Sequence, residues 1–189
     1  MIQLRDILTH YETWHDKSAT LHKRRRLTND DYHHMFIEVL RKEFFMPYDE
    51  RIVAPMREEL TLAGLAELRT VEDVDRLMKD QKGTLLVVVN SVCGCAAGMA
   101  RPGVVSALKH SVVPDLRVTV FAGQDVEATA RMREYIGADI PPSSPSMALF
   151  RNGELIWMLP RHQIEGRTAD MVSKSLKDAF DRFCIAQPA

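Results

Sequence analysis

The sequence predicts an α/β domain with a central mixed sheet of about four strands flanked by helices, preceded by a helical N-terminal extension. Three observations predict it. Leu85–Val89 is a short, continuous, β-branched apolar run, the pattern of a strand buried on both faces. Arg117–Phe121 alternates around Val118 and Val120, which marks a second strand beyond an intervening helix. Met147–Phe150 and Leu155–Leu159 flank Arg151-Asn152-Gly153-Glu154, and Asn-Gly is the strongest short hairpin signal. The expected order is βαβαββα behind a helical prefix, with a parallel start and an antiparallel close.

The bulk numbers agree with one such domain and an addition. The chain has 189 residues, 46% of them apolar and 27% charged, enough for an ordinary core and surface. The net charge of −1 gives no general attraction to nucleic acid or anionic membrane. No run of 18 apolar residues is present, and Met1–Asp6 lacks the apolar core of a signal peptide. Three cysteines, two of them almost adjacent, point away from an extracellular disulfide scaffold and toward a reducing cytoplasm.

Residues 1–45 read as the extension and 46–189 as the main domain. Leu4, Leu8, Tyr11 and Trp14 form a helical stripe, and Tyr32, Met35, Phe36, Val39 and Leu40 form another. Between them lies His22-Lys23-Arg24-Arg25-Arg26, a local basic run that nearby acids balance, so a solvated corner is expected rather than a nucleic-acid arm. His10, His15, His22, His33 and His34 match no metal-ligand spacing.

In the main domain, residues 49–68 read as a helical approach with Pro55 near its start and a break at Gly64. Thr70 and Asp73 resemble a capping box opening a helix to about Lys79. Lys82-Gly83 turns into the central strand. Pro102 and Gly103 should kink or delay the next helix, which runs to about His110. After the second strand, Gln124 and Asp125 are expected to cap a helix over Val126–Ile136. Pro141–Pro145 is a rigid loop, and Thr168 or Asp170 caps a last helix carrying Met171, Leu176, Phe180 and Phe183. Cys184, beside Phe183, reads as a small buried hydrophobe.

Chemistry concentrates at Cys93-Gly94-Cys95, where the central strand passes into the small-residue segment Ala96–Ala100. A helix N-terminus offers unpaired N–H groups and a positive dipole end, which favour a thiolate. Cys93 is expected to be the exposed, attacking sulfur and Cys95 the resolving one. A disulfide closed across one residue is strained and readily reduced, and Gly94 gives the backbone the freedom to close it. A zinc half-site or two buried cysteines are the alternatives; zinc wants about four ligands, and no second pair is present.

The run Asn90–Gly98 followed by Ala100-Arg101-Pro102 resembles the signature of the bacilliredoxin family. Ile52–Leu60, Val118–Asp125, Pro142–Ser146 and Arg161–Gly166 match it in order, so the resemblance covers about residues 46–184. It implies a thioredoxin-like fold and a cytoplasmic thiol–disulfide oxidoreductase that removes bacillithiol from S-bacillithiolated proteins. Bacillithiol would be its low-molecular-weight co-substrate, with no bound cofactor, no metal, and a recycling thiol or reductase as partner. Ser144-Pro145 then falls at the cis-proline loop, whose backbone would pair with substrate beside Cys93. Arg101 and Arg161 would supply positive charge near a thiolate or an anionic thiol. A general protein disulfide reductase or isomerase, or a redox-sensing binding module, would use the same dithiol.

Overall fold

The computed structural model describes residues 47–184; the two helices expected within 1–45, with their histidines and basic run, lie outside the described residues. Ten elements follow in chain order. They are α1 (Glu50–Thr61), β1 (Ala66–Glu67), α2 (Val71–Met78), β2 (Thr84–Asn90) and α3 (Arg101–Ala107), then β3 (Leu116–Phe121), α4 (Val126–Ile136), β4 (Ser146–Arg151), β5 (Glu154–Leu159) and α5 (Ala169–Phe183).

The five strands form one mixed sheet in the order β1-β3-β2-β4-β5. β3 is parallel to both β1 and β2, while β4 is antiparallel to β2 and to β5. This is the thioredoxin-like arrangement. Its fifth strand is an addition to the sequence reading: β1 has only two residues, too few for a period-2 pattern, and exists because Ala66 and Glu67 pair with Val118 and Thr119.

Every residue of β2 is buried, as a strand covered on both faces must be. Leu86 and Val88 pack against Leu60 of α1, Val104 and Ala107 of α3, and Leu176 and Phe180 of α5. Leu85, Val87 and Val89 face Val74 and Met78 of α2 and Ala128, Met132 and Ile136 of α4. One residue per step changes face, so a single strand supplies both halves of the core.

Several boundaries differ locally. α1 begins at Glu50, with Asp49 accepting the Arg51 N–H, so Pro55 sits inside the helix rather than at its start. Thr70 and Asp73 do form a reciprocal capping box on α2. Thr168 caps α5 through Met171 N–H, but Met171 itself is exposed and Val172 takes the buried position. The hairpin turns through Asn152 at φ 51° and Gly153 at φ 84°, the left-handed pair that Asn-Gly favours. At Gly103 the reason for glycine is different: an added Cβ would lie 2.7 Å from Val172 Cγ1, so α3 and α5 touch backbone to side chain.

Candidate active site

The cysteines stand where β2 runs out. Asn90 is its last residue, and Gly94-Cys95 opens a helical turn that continues as a π-helix over Ala96–Ala100 before α3. The Cys93 carbonyl accepts the N–H groups of Ala96 (3.0 Å) and Ala97 (3.1 Å), so Cys93 occupies the mouth of this turn. Both cysteines are free thiols, Cys93 half-buried and Cys95 buried.

Their surroundings separate the two sulfurs. Burial works to raise the Cys93 pKa, but the Cys95 side chain, the Ser91 hydroxyl, the Ala96 backbone N–H and the charge of Arg161 outweigh it and hold the thiol below its ordinary value. Ser91 Oγ lies 3.2 Å from Cys93 Sγ. Cys95 moves the other way: burial pushes it up, its hydrogen bond to Cys93 and the negative charge there add to this, and Arg161 opposes it. A group that ionises easily and is partly open therefore sits beside one that holds its proton.

Gly94 is exposed and does not adopt a left-handed backbone in this dithiol form, contrary to the special freedom expected of it. A Cβ there would meet nothing within 4 Å, so what the glycine contributes is a bare surface beside the thiols.

Two loops join the motif from other parts of the chain. β4 pairs Ser146 with Val89, which sets the preceding Ser144-Pro145 bond beside the end of β2. That bond is cis. Pro145 is buried, and Ser146 Oγ donates to Ser143 O at 2.9 Å. Arg161 follows β5: its N–H donates to Ser143 Oγ (2.7 Å) and its Nη1 to Ser144 O (3.4 Å), while Nε and Nη2 hold Glu165 Oε1. The guanidinium is half exposed, and its charge favours the thiolate form of both cysteines.

Arg101 requires a correction. Expected to offer its charge to a thiolate or substrate, it is only 2% exposed and cannot meet a substrate. Its Nε donates to Glu59 Oε2 (2.8 Å), and Nη1 donates to Ser91 O (3.0 Å) and Asn90 Oδ1 (3.3 Å). It is spent below the motif, on Glu59, the Asn90 side chain and the Ser91 carbonyl.

Asp125 holds the N-cap position of α4 as expected, but its side chain is used elsewhere. Its side chain makes no capping bond; its two oxygens accept from Nη1 (2.8 Å) and Nη2 (2.9 Å) of Arg57, which is 5% exposed and also reaches Glu67. Gln124 donates to Glu50 instead (3.2 Å). Arg57, Glu59, Asn90 and Ser91 thus escaped sequence reasoning. One signal was present: Arg57 falls between Val53 and Leu60 at i+4 and i+7, a charge on the apolar stripe of α1.

Cys184 lies at the far end of the sheet. Its thiol pairs with Thr84, the first residue of β2, and burial pushes its pKa up. The seven residues of β2, at about 3.3 Å each, separate that end from Cys93, which rules out a third thiol in the same exchange. Among the described residues no group of three or more His, Cys, Asp or Glu side chains is arranged to hold a metal ion, and no helix is long and apolar enough to cross a membrane.

Comparison with known proteins adds an independent line. A family model described as "Disulphide isomerase" matches residues 48–184. A bacilliredoxin of Halalkalibacterium halodurans is 53% identical over 137 residues, 72% of this chain and 94% of that protein. One from Bacillus licheniformis is 54% identical over 138 residues, covering 72% and 95%. A bacilliredoxin of Salinibacter ruber is 52% identical over 143 residues, covering 74% and 82%. Among solved structures, a mutant thioredoxin from Halobacterium salinarum aligns with 67% of this chain and 96% of its own at a TM-score of 0.46 and 17% identity. Mitochondrial thioredoxin 3 from Saccharomyces cerevisiae aligns over 63% and 95% at a TM-score of 0.43 and 17% identity.

Proposed function

The chain belongs to the bacilliredoxin family of thiol–disulfide oxidoreductases, and from that premise we propose that it removes bacillithiol from S-bacillithiolated cytoplasmic proteins. The observation that carries the reading is the opposite tuning of the two sulfurs, Cys93 toward the thiolate and Cys95 toward the thiol.

The steps follow from that tuning. The Cys93 thiolate attacks the bacillithiol sulfur of the mixed disulfide; the protein sulfur leaves with the bonding pair, and the target thiol is restored. Cys93 now carries bacillithiol and is neutral. Its negative charge, one of the causes that raise Cys95, has gone, while Arg161 still favours ionisation there. Cys95 can then lose its proton and attack Cys93 Sγ, expelling bacillithiol as a thiolate and leaving a Cys93–Cys95 disulfide. A recycling thiol or reductase supplies the two electrons that reopen it. Arg161 is the residue suited to an anionic thiol beside Cys93, and Ser144 with cis-Pro145 forms the wall along which a target chain would lie.

The test uses reduced Cys95→Ser, mixed separately with a bacillithiolated and a glutathionylated protein and read by intact-mass spectrometry. A bacillithiol-sized adduct on Cys93, formed much faster than the glutathione adduct, is the expected result. Equal rates for the two thiols, or a covalent link to the target protein, would overturn the assignment in favour of a general disulfide reductase or isomerase. The description of the matching family model favours that second reading, and activity on scrambled disulfides without any small thiol would support it.

A further inference from the structure

The buried charge beneath the motif has no part in the exchange steps above, yet it grips Ser91, whose hydroxyl touches the attacking sulfur. We propose that a hydrogen-bonded chain running from Glu59 through Arg101 to Ser91 sets the reactivity of Cys93, with Ser91 Oγ donating to the sulfur and Arg101 the positioning residue that holds it there.

The geometry fixes Ser91 from both sides. Its N–H donates to Asn90 Oδ1 at 2.8 Å, and its carbonyl accepts from Arg101 Nη1 at 3.0 Å. Arg101 Nη1 also reaches Asn90 Oδ1 (3.3 Å), and Asn90 Nδ2 is anchored on Met56 O of α1 (3.2 Å). With the backbone of Ser91 clamped in this way, its hydroxyl stays 3.2 Å from Cys93 Sγ. A thiolate has no proton, so in the reactive form the hydroxyl is the donor. Once the sulfur has formed a disulfide it is neutral and a poor acceptor, so the contact favours the reduced, ionised state over the oxidised one. Burying a guanidinium is costly unless it is paired and hydrogen-bonded. Here Nε takes Glu59 from α1 and Nη1 takes the two groups flanking Ser91, so the charge is spent on orientation below the thiols rather than on substrate.

The inference rests on Cys93 being the attacking thiol, but not on which mixed disulfide it attacks. Its test therefore reads the sulfur directly: the pH profile of Cys93 alkylation by iodoacetamide in the reduced full-length chain, followed by peptide mass spectrometry. In Ser91→Ala the profile should move to higher pH and the rate at neutral pH fall about tenfold, the scale of one hydrogen bond to a charged group. Ser91→Thr keeps the hydroxyl and should restore the wild-type profile. Arg101→Lys keeps the charge but loses the fork; it should shift the profile in the same direction, and Ser91→Ala with Arg101→Lys together should match Ser91→Ala alone, because Arg101 acts through Ser91. An unmoved profile in Ser91→Ala overturns the proposal. So does an Arg101→Lys chain that melts lower with an unchanged profile, or one whose effect adds in full to that of Ser91→Ala, since either makes Arg101 a packing residue only. A faster bacillithiol-independent exchange would refute the debacillithiolation reading and leave this one standing.

Discussion

Replacing Arg57 with methionine tests whether the ion cluster at the carboxyl end of the sheet holds the site's scaffold together. Arg57 is 5% exposed and joins α1 to β1 through Glu67 and to the start of α4 through both oxygens of Asp125. Its guanidinium also lies 5.1 Å from the centre of the Phe121 ring. Removing one partner of a buried pair costs about 3–5 kcal/mol, because the other charge is left without compensation. Glu67 retains Arg69 at 2.7 Å, so the lower end, about 3 kcal/mol, applies here. With a urea m-value of about 2 kcal/mol/M for a domain of this size, the midpoint should fall by about 1.5 M at pH 7. The pH dependence supplies a second check. Burial pushes the Glu67 carboxyl up, but Arg69 and Arg57 outweigh it and hold it below the ordinary carboxylate range. A depressed folded pKa contributes stability in full above the unfolded value of about 4.3, and that contribution is lost as pH falls through the folded value. The difference between wild type and Arg57→Met should therefore shrink as the pH is lowered below about 4. A midpoint shift under about 0.3 M, or a difference that stays constant down to pH 3, would refute the reasoning.

Gly103→Ala should lower the thermal midpoint by roughly 5–10 °C, since its Cβ meets Val172 and the Ala169 carbonyl at α5, whereas Gly98→Ala, whose Cβ meets nothing within 4 Å, should not lower it. Asp115→Asn should cost about 1.5–3 kcal/mol in chemical denaturation at pH 7, because the carboxylate accepts both the N–H and the hydroxyl of Thr84 at 2.7 Å. Those Thr84 bonds hold the Asp115 pKa low, so this difference too should be present at neutral pH and fade in acid. Arg161→Gln should slow the reaction of Cys93 with an anionic small-molecule disulfide and remove most of its dependence on ionic strength in stopped-flow traces. Cys184→Ser should leave turnover unchanged, because that thiol sits at the other end of β2; a loss of turnover with normal stability would bring it into the mechanism.

Much of the fold was legible because its signals are local. The capping box on α2, the Asn-Gly turn, the apolar run Leu85–Val89 of β2 and the Thr168 cap each lie within a few residues of chain, and each forms where it was expected. β1 was not legible, since two residues have no periodicity and become a strand only beside β3. Asp125 misled for a related reason. Its place before a helix has the look of a cap, but a buried guanidinium from α1, 68 residues away in the chain, is a stronger partner for its carboxylate than a backbone N–H.

The same division runs through the site. The Cys93-Gly94-Cys95 spacing, at the passage from an apolar strand into a small-residue helix start, was enough by itself to single out the two thiols and to expect Cys93 to be the more open of them, because strand, turn and dipole are all set by neighbours in sequence. The loop at 143–145 and the one holding Arg161 were legible too, through the motifs they carry. Only tertiary structure decided which arginine serves the surface. Arg101 follows the motif closely in the chain, yet its side chain turns inward to Glu59 and Ser91; Arg161 is far away in the chain and is brought beside the sulfurs by β4 and β5. A charged side chain's role depends on whether it finds buried partners, and those partners come from elements that no local window contains.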